Sequence, residues 1–266
     1  MRFGICASVQ QAVQLCEELK ASVPPFDYLE EGVQRFLLPE QPQQNFEDQW
    51  HAAQDLPVAI EAVNALLPAD LVLITTPTQQ VNSSRLERYI KTTLERAQQA
   101  SIHIIVFGSG TARNCPEGFD KADALNQVKQ HFAQWCVWAR PYDVQFVLEP
   151  LRYAETNILN TVIESAALVT EIEDSGARLL ADIYHMQANQ EQPSDLKALV
   201  PLLSHVHIAE LEGRTAPGHH GDDFRAYFRA LRQGGYDQRL SIECNWQNLS
   251  AEVEPAISIL KQQWAE

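Results

Sequence analysis

Apolar residues in this chain gather into short runs, and stretches with an apolar residue every three or four positions separate them. The first run is 3–7, and 9–19 follows with helical spacing. DYLEEGV (27–33) alternates well enough for a second strand, bounded by the Pro24-Pro25 breaker. Residues 35–55 are rich in Gln and Pro and read as a loop with one helical piece, longer than most connections. A third strand is predicted over 57–66, with 71–76 continuing it or forming a small extra strand. Residues 84–100 predict a helix capped by Ser84, with Leu86, Ile90, Thr93 and Leu94 on one face. IHIIVFGSG (102–110) is an apolar strand that closes on a glycine turn. Helices are predicted over 122–139, 158–173, 194–203, 223–233 and 249–264. Between them come strands ending at Glu149, Asp182, His207 and Glu243.

That is about eight strands alternating with helices, and no shift in composition marks a linker. Near-continuous apolar strands separated by helical stretches predict a parallel sheet. Eight such units in 266 residues predict an α/β chain folded as a single (β/α)8 TIM barrel domain over 1–266. An open doubly wound sheet would want a glycine-rich fingerprint after the first strand, and ICASVQQ (5–11) is not one.

Four of the runs deliver polar groups at their C-terminal ends. VQFVLEP ends at Glu149, RLLADIYH carries Asp182 and His185, LLSHVHIAE carries His205, His207 and Glu210, and RLSIEC carries Glu243. In a barrel these strand ends are where active-site groups stand. Glu149, Asp182, His207 and Glu243 form an O,O,N,O set suited to one divalent ion: manganese, magnesium, cobalt or zinc. One such acid alone would read as a solvated rim residue. Four together on successive strands read as a site, because carboxylates are buried only when paired or metal-bound.

His205 and His207 are two apart and share a strand face. His207, nearer the mouth, is the better ligand, and His205 reads as a packed histidine in a lower layer. His185 falls on the loop leaving its strand, within reach of a substrate oxygen. Arg152 and Arg214 either hold a hydroxyl or phosphate or neutralise an acidic rim. GSGTARNCPEGF (108–119), with Arg113, is either an anion cradle or a tight turn at the mouth. His219-His220 read as exposed loop. Trp50, Phe107 and Tyr153 read as core, and Trp246 as the best candidate for a substrate wall.

A net charge of −15 argues against a nucleic-acid partner, because phosphate neutralisation needs a basic face. The five cysteines are odd in number and lack CxxC spacing, which predicts small buried thiols and a reduced, cytoplasmic setting. Cys6 and Cys244 lie near strand ends, where they would line the pocket. MRFGICASV enters a strand pattern directly, so no leader is expected. No apolar run approaches the ~20 residues of a spanning helix, so no membrane partner is expected.

LEPLRYAETN (148–157), ADIYHM (181–186), HVHIAE (205–210), PGHHGDDF (217–224) and GYDQRLSIE (235–243) together resemble the sugar phosphate isomerase/epimerase family of xylose isomerase-like barrels. That family includes ketose 3-epimerases, hydroxypyruvate isomerase, inosose dehydratase and the endonuclease IV group. The resemblance covers most of the chain and is specific for the superfamily, not for one reaction. It implies that Glu149, Asp182, His207 and Glu243 hold the metal and that Glu155, His185 and Arg214 contact oxygens of a small sugar or sugar phosphate. Two departures stand out: IAELEGR carries one residue more before Arg214 than the pattern, and LRY replaces the usual LNR after Glu149-Pro150.

The chemistry so implied is proton abstraction next to a carbonyl through an enediolate, with Glu149 and Glu243 as the acid–base pair. Dehydration of a keto-polyol shares that first step. An endonuclease IV-type phosphodiesterase would need more metals and a basic face, and an inert barrel would leave the four ligands apart. Homo-oligomers are common in the family.

Overall fold

The computed structural model describes residues 1–19 and 24–266. Among these residues eight parallel strands hydrogen-bond in sequence order and close on themselves. They are β1 (Arg2–Cys6), β2 (Tyr28–Gly32), β3 (Ile60–Asn64), β4 (Ile104–Phe107), β5 (Gln145–Leu148), β6 (Arg178–Asp182), β7 (Leu203–Ile208) and β8 (Arg239–Ile242). Helices outside the strands complete the (β/α)8 barrel expected from the alternation. Their starts carry local signals. Asp120 accepts from the N–H groups of Ala122 and Asp123, and Thr161 forms a capping box with Glu164. Asn82, not Ser84, caps the helix Ser83–Gln99.

The barrel interior has two unlike halves. On β3 to β6 it is a plug of Ala62, Ile104, Val106, Val147 and Leu180. On β2, β7 and β8 it holds Tyr28, Glu30, His205, His207 and Ser241, all buried. The Tyr28 ring fits there because residue 4 is glycine: a Cβ on Gly4 would overlap the ring. Register sets the polar half in place, with Asp182 beside His207 and His207 beside Ser241.

Three sequence expectations fail here. Residues 35–55 are not mainly loop: helices run over Val33–Phe36 and Gln43–Gln54. The second buries only Phe46, so it writes no apolar stripe into its Gln-rich sequence. Residues 71–76 form no strand. Leu71, Leu73 and Ile74 are buried, but the segment is held through Leu73 N–H to Ala112 O at 2.9 Å instead of a ladder. Tyr153, expected in the core, is 63% exposed.

Candidate metal centre

β5 ends one residue before Glu149, β6 ends on Asp182, β7 carries His207 and β8 ends one residue before Glu243. The barrel brings these four together: one ligand atom from each lies within 4.8 Å of all the others. His207 Nδ1 is 3.2 Å from Glu243 Oε2 and 3.4 Å from Glu149 Oε1. Both His207 Nδ1 and Glu149 Oε1 are buried without a hydrogen-bond partner. Two orphaned polar atoms aimed at one point, amid three carboxylates, fit a divalent cation.

Gly108 makes room for this arrangement. A Cβ at that position would overlap Glu149 Oε2. Asn64, at the end of β3, donates to Glu243 Oε1 at 3.0 Å. Arg214 donates to Asp182 Oδ2 at 3.1 Å and to Glu243 Oε2, and its guanidinium lies 4.6 Å from the centre of the Tyr184 ring. Arg214 stands in a turn where Gly213 and Arg214 are both left-handed, at φ 66° and 52°. Glycine adopts this freely; Arg214 is held there by its ion pairs and by Nε donating to Glu243 O at 3.1 Å.

Electrostatics in the cluster are uneven. Burial pushes Glu149 up, and it raises Asp182 to about 6 against the opposing charge of Arg214. Burial also opposes ionisation of Glu243, but His207 and Arg214 outweigh it and hold that carboxyl down at about 2. His207 resists burial in the same way: the charges of Glu30 and Glu243 raise it well above the usual histidine range.

His185 sits in the short helix Ile183–Ala188, not on a loop, with Nε2 3.4 Å from Asp182 Oδ2 and 4.0 Å from Glu149 Oε1. The backbone N–H of Arg152 donates to its Nδ1 at 3.4 Å, and burial lowers its pKa. Nε2 therefore carries the proton and faces the cluster. Glu155 Oε1 accepts from Arg152 Nε at 2.7 Å. Trp246 is half-buried and donates to Cys6 O at 3.1 Å.

Arg113 does not cradle an anion. It is wholly buried, donating to the carbonyls of Phe107, Glu149 and Leu159 at 3.3, 2.8 and 3.4 Å. It ties the loop after β4 to the strand end that carries Glu149. Glu210 is likewise structural: it accepts N–H groups of Gly218, His220, Gly221 and Asp222 and fixes the loop between β7 and the next helix. Sequence reasoning missed Glu30 and Asn64. A signal for Glu30 was present: adjacent acids in the middle of a short apolar strand cannot both face solvent, since neighbours alternate. Asn64 left none.

The family model described as xylose isomerase-like TIM barrel covers residues 25–263, and the chain belongs to that family. Among curated proteins it is similar to an L-ribulose 3-epimerase of Methylomonas sp. (strain DH-1), 32% identical over 46% of this chain and 41% of that protein. It is also similar to a putative hydroxypyruvate isomerase of Mus musculus, 25% identical over 58% of this chain and 57% of that one. The matched segments thus span only about half the length of these relatives. A solved D-psicose 3-epimerase superposes with a TM-score of 0.81 over 100% of both chains at 17% identity, a likeness of fold. No helix among the described residues is long and apolar enough to cross a membrane.

Proposed function

We propose that this chain is a metal-dependent sugar epimerase or isomerase that moves a proton at a carbon next to a carbonyl. The convergence of Glu149, Asp182, His207 and Glu243 on one point carries the reading. These four would hold one divalent ion. When bound, the ion supplies Lewis-acid polarisation of the substrate carbonyl, which acidifies the neighbouring C–H.

The protein's own groups do the rest. Glu149 and Glu243 stand at the ends of β5 and β8, with β6 and β7 between them, so their carboxylates approach a bound substrate from different sides. One takes the proton and the other returns it; return to the same carbon inverts it, and return to its neighbour exchanges aldose and ketose. Arg214 and the Nε2–H of His185 donate to substrate oxygens, and Glu155 accepts from a hydroxyl. The pair Arg152–Glu155 holds that acceptor in place. The Arg113 guanidinium is committed to three carbonyls, which leaves a phosphorylated substrate without the clamp that the 108–119 loop offered on paper. The epimerase and isomerase names of the relatives support the same chemistry.

A phosphodiesterase would need a further ion. The other cluster among the described residues, Cys6, Glu30 and His207, shares His207, and its carboxylate is already bonded to two imidazoles.

The test is metal content followed by deuterium uptake from D2O on a panel of ketoses. About one ion per chain with carbon-bound deuterium is expected, and Glu243→Gln should abolish exchange while leaving the melting temperature near wild type. Full exchange in that variant would overturn the acid–base assignment.

A further inference from the structure

Beneath the four proposed ligands lies a second polar layer that the mechanism does not use. Glu30, on β2, is fully buried in the barrel. Its Oε1 is 2.9 Å from His207 Nε2 and its Oε2 is 2.7 Å from His205 Nε2. Ser241 Oγ donates to the same Oε2 at 2.7 Å, and Tyr28 OH is 2.9 Å from Ser241 Oγ. A carboxylate only accepts, and the Ser241 hydrogen is committed to it, so Tyr28 is the donor to Ser241. Every group in the chain then points its hydrogen toward Glu30.

We infer that Glu30 is a positioning residue for the metal centre, fixing His207 so that Nε2 keeps its hydrogen and Nδ1 is the ligand atom. The inference rests on the metal-holding role proposed for His207. Nδ1 is the nitrogen that lies among Glu149 and Glu243 and has no hydrogen-bond partner. A ligating imidazole that donates its other N–H to a carboxylate has its tautomer and ring angle set by that bond. His205 completes the support: its ring meets that of His207 nearly at right angles, 80°, with centroids 4.9 Å apart. The same carboxylate holds both rings, so neither turns without breaking a bond to Glu30.

Glu30→Gln is the test. Glutamine offers one acceptor oxygen where two imidazoles and a hydroxyl now donate, so Zn2+ affinity measured by calorimetry should fall about 10- to 100-fold. The second readout is long-range 1H–15N NMR of the imidazoles in wild-type protein, with and without Zn2+. Nε2 of His207 should carry a proton in both states. Unprotonated Nε2 in the wild type would overturn the inference even if Glu30→Gln fails to fold. So would a folded Glu30→Gln variant that binds Zn2+ as tightly as wild type. Wild-type protein that takes up no Zn2+ would instead overturn the metal reading, and the positioning role with it.

Discussion

Gly108 is a sensitive place to test the metal centre, because the substitution is mild by ordinary rules. Its backbone lies outside the left-handed region, so alanine is locally compatible. Replacing such a glycine usually stabilises by about 0.4–1 kcal/mol through the unfolded chain. Here a Cβ would overlap Glu149 Oε2 and come within 3.3 Å of its Cδ and 3.6 Å of Leu151 Cδ2. The carboxylate must shift by roughly 1 Å, whereas metal–ligand distances tolerate about 0.2 Å. One of four ligands is thereby displaced, and Gly108→Ala should lose about 10- to 100-fold in Zn2+ or Mn2+ affinity, or ~1.4–2.8 kcal/mol. The metal-free protein should melt within about 4 °C of wild type, since ~1 kcal/mol moves a chain of this size by roughly 2–4 °C. Calorimetric titration and a thermal melt of the stripped protein measure the two effects separately. Unchanged affinity in a folded variant would mean that Glu149 is no ligand, and the O,O,N,O centre would fall with it.

Arg113→Lys should cost about 1–3 kcal/mol, since one ammonium cannot reach three carbonyls, and leave phosphate binding untouched. A selective loss of phosphate binding would restore the anion-cradle reading of the 108–119 loop. Glu191 gives a pH signature. Burial raises its carboxyl from 4.5 to about 7, while its Oε2 accepts from Val162 N–H at 2.7 Å. The folded chain keeps a proton that the unfolded chain has released, so stability falls as pH rises between those two values. Glu191→Gln should remove that slope, making the variant more stable than wild type near pH ~8 and equal to it near pH ~4. A wild-type denaturation midpoint that stays flat across the window would refute it.

Much of the cluster was legible because strand ends in a barrel converge, so strand order plus one polar residue per end places Glu149, Asp182, His207 and Glu243 without coordinates. The supporting layer was not, because its bonds are remote: His205 and Glu30 are 175 positions apart. Nothing local to DYLEEGV says that Glu30 faces two imidazoles while Glu31 turns outward to Arg35 and the N–H of Val9. Arg113 stayed open between an anion cradle and a tight turn for the opposite reason. A glycine-flanked arginine beside a strand end has the composition of an anion site, and only its burial reveals that backbone carbonyls hold it. The helix Gln43–Gln54 showed only as one helical piece in a loop because a single buried aromatic anchors it, and residues 71–76 looked like a strand because packing alone requires their apolar side chains.

The split interior of the barrel sets how this scaffold can be altered. On the β3–β6 side, Ala62, Ile104, Val106, Val147 and Leu180 meet only through volume, so a change in one can be met by an opposite change in any neighbour. On the other side, Tyr28, Ser241, Glu30, His205 and His207 form one ordered series of donors ending on a single acceptor. Removing that acceptor leaves several buried hydrogens without a partner at once. Divergence or engineering toward new substrates has many independent routes through the apolar side, and on the polar side it must take several steps at once.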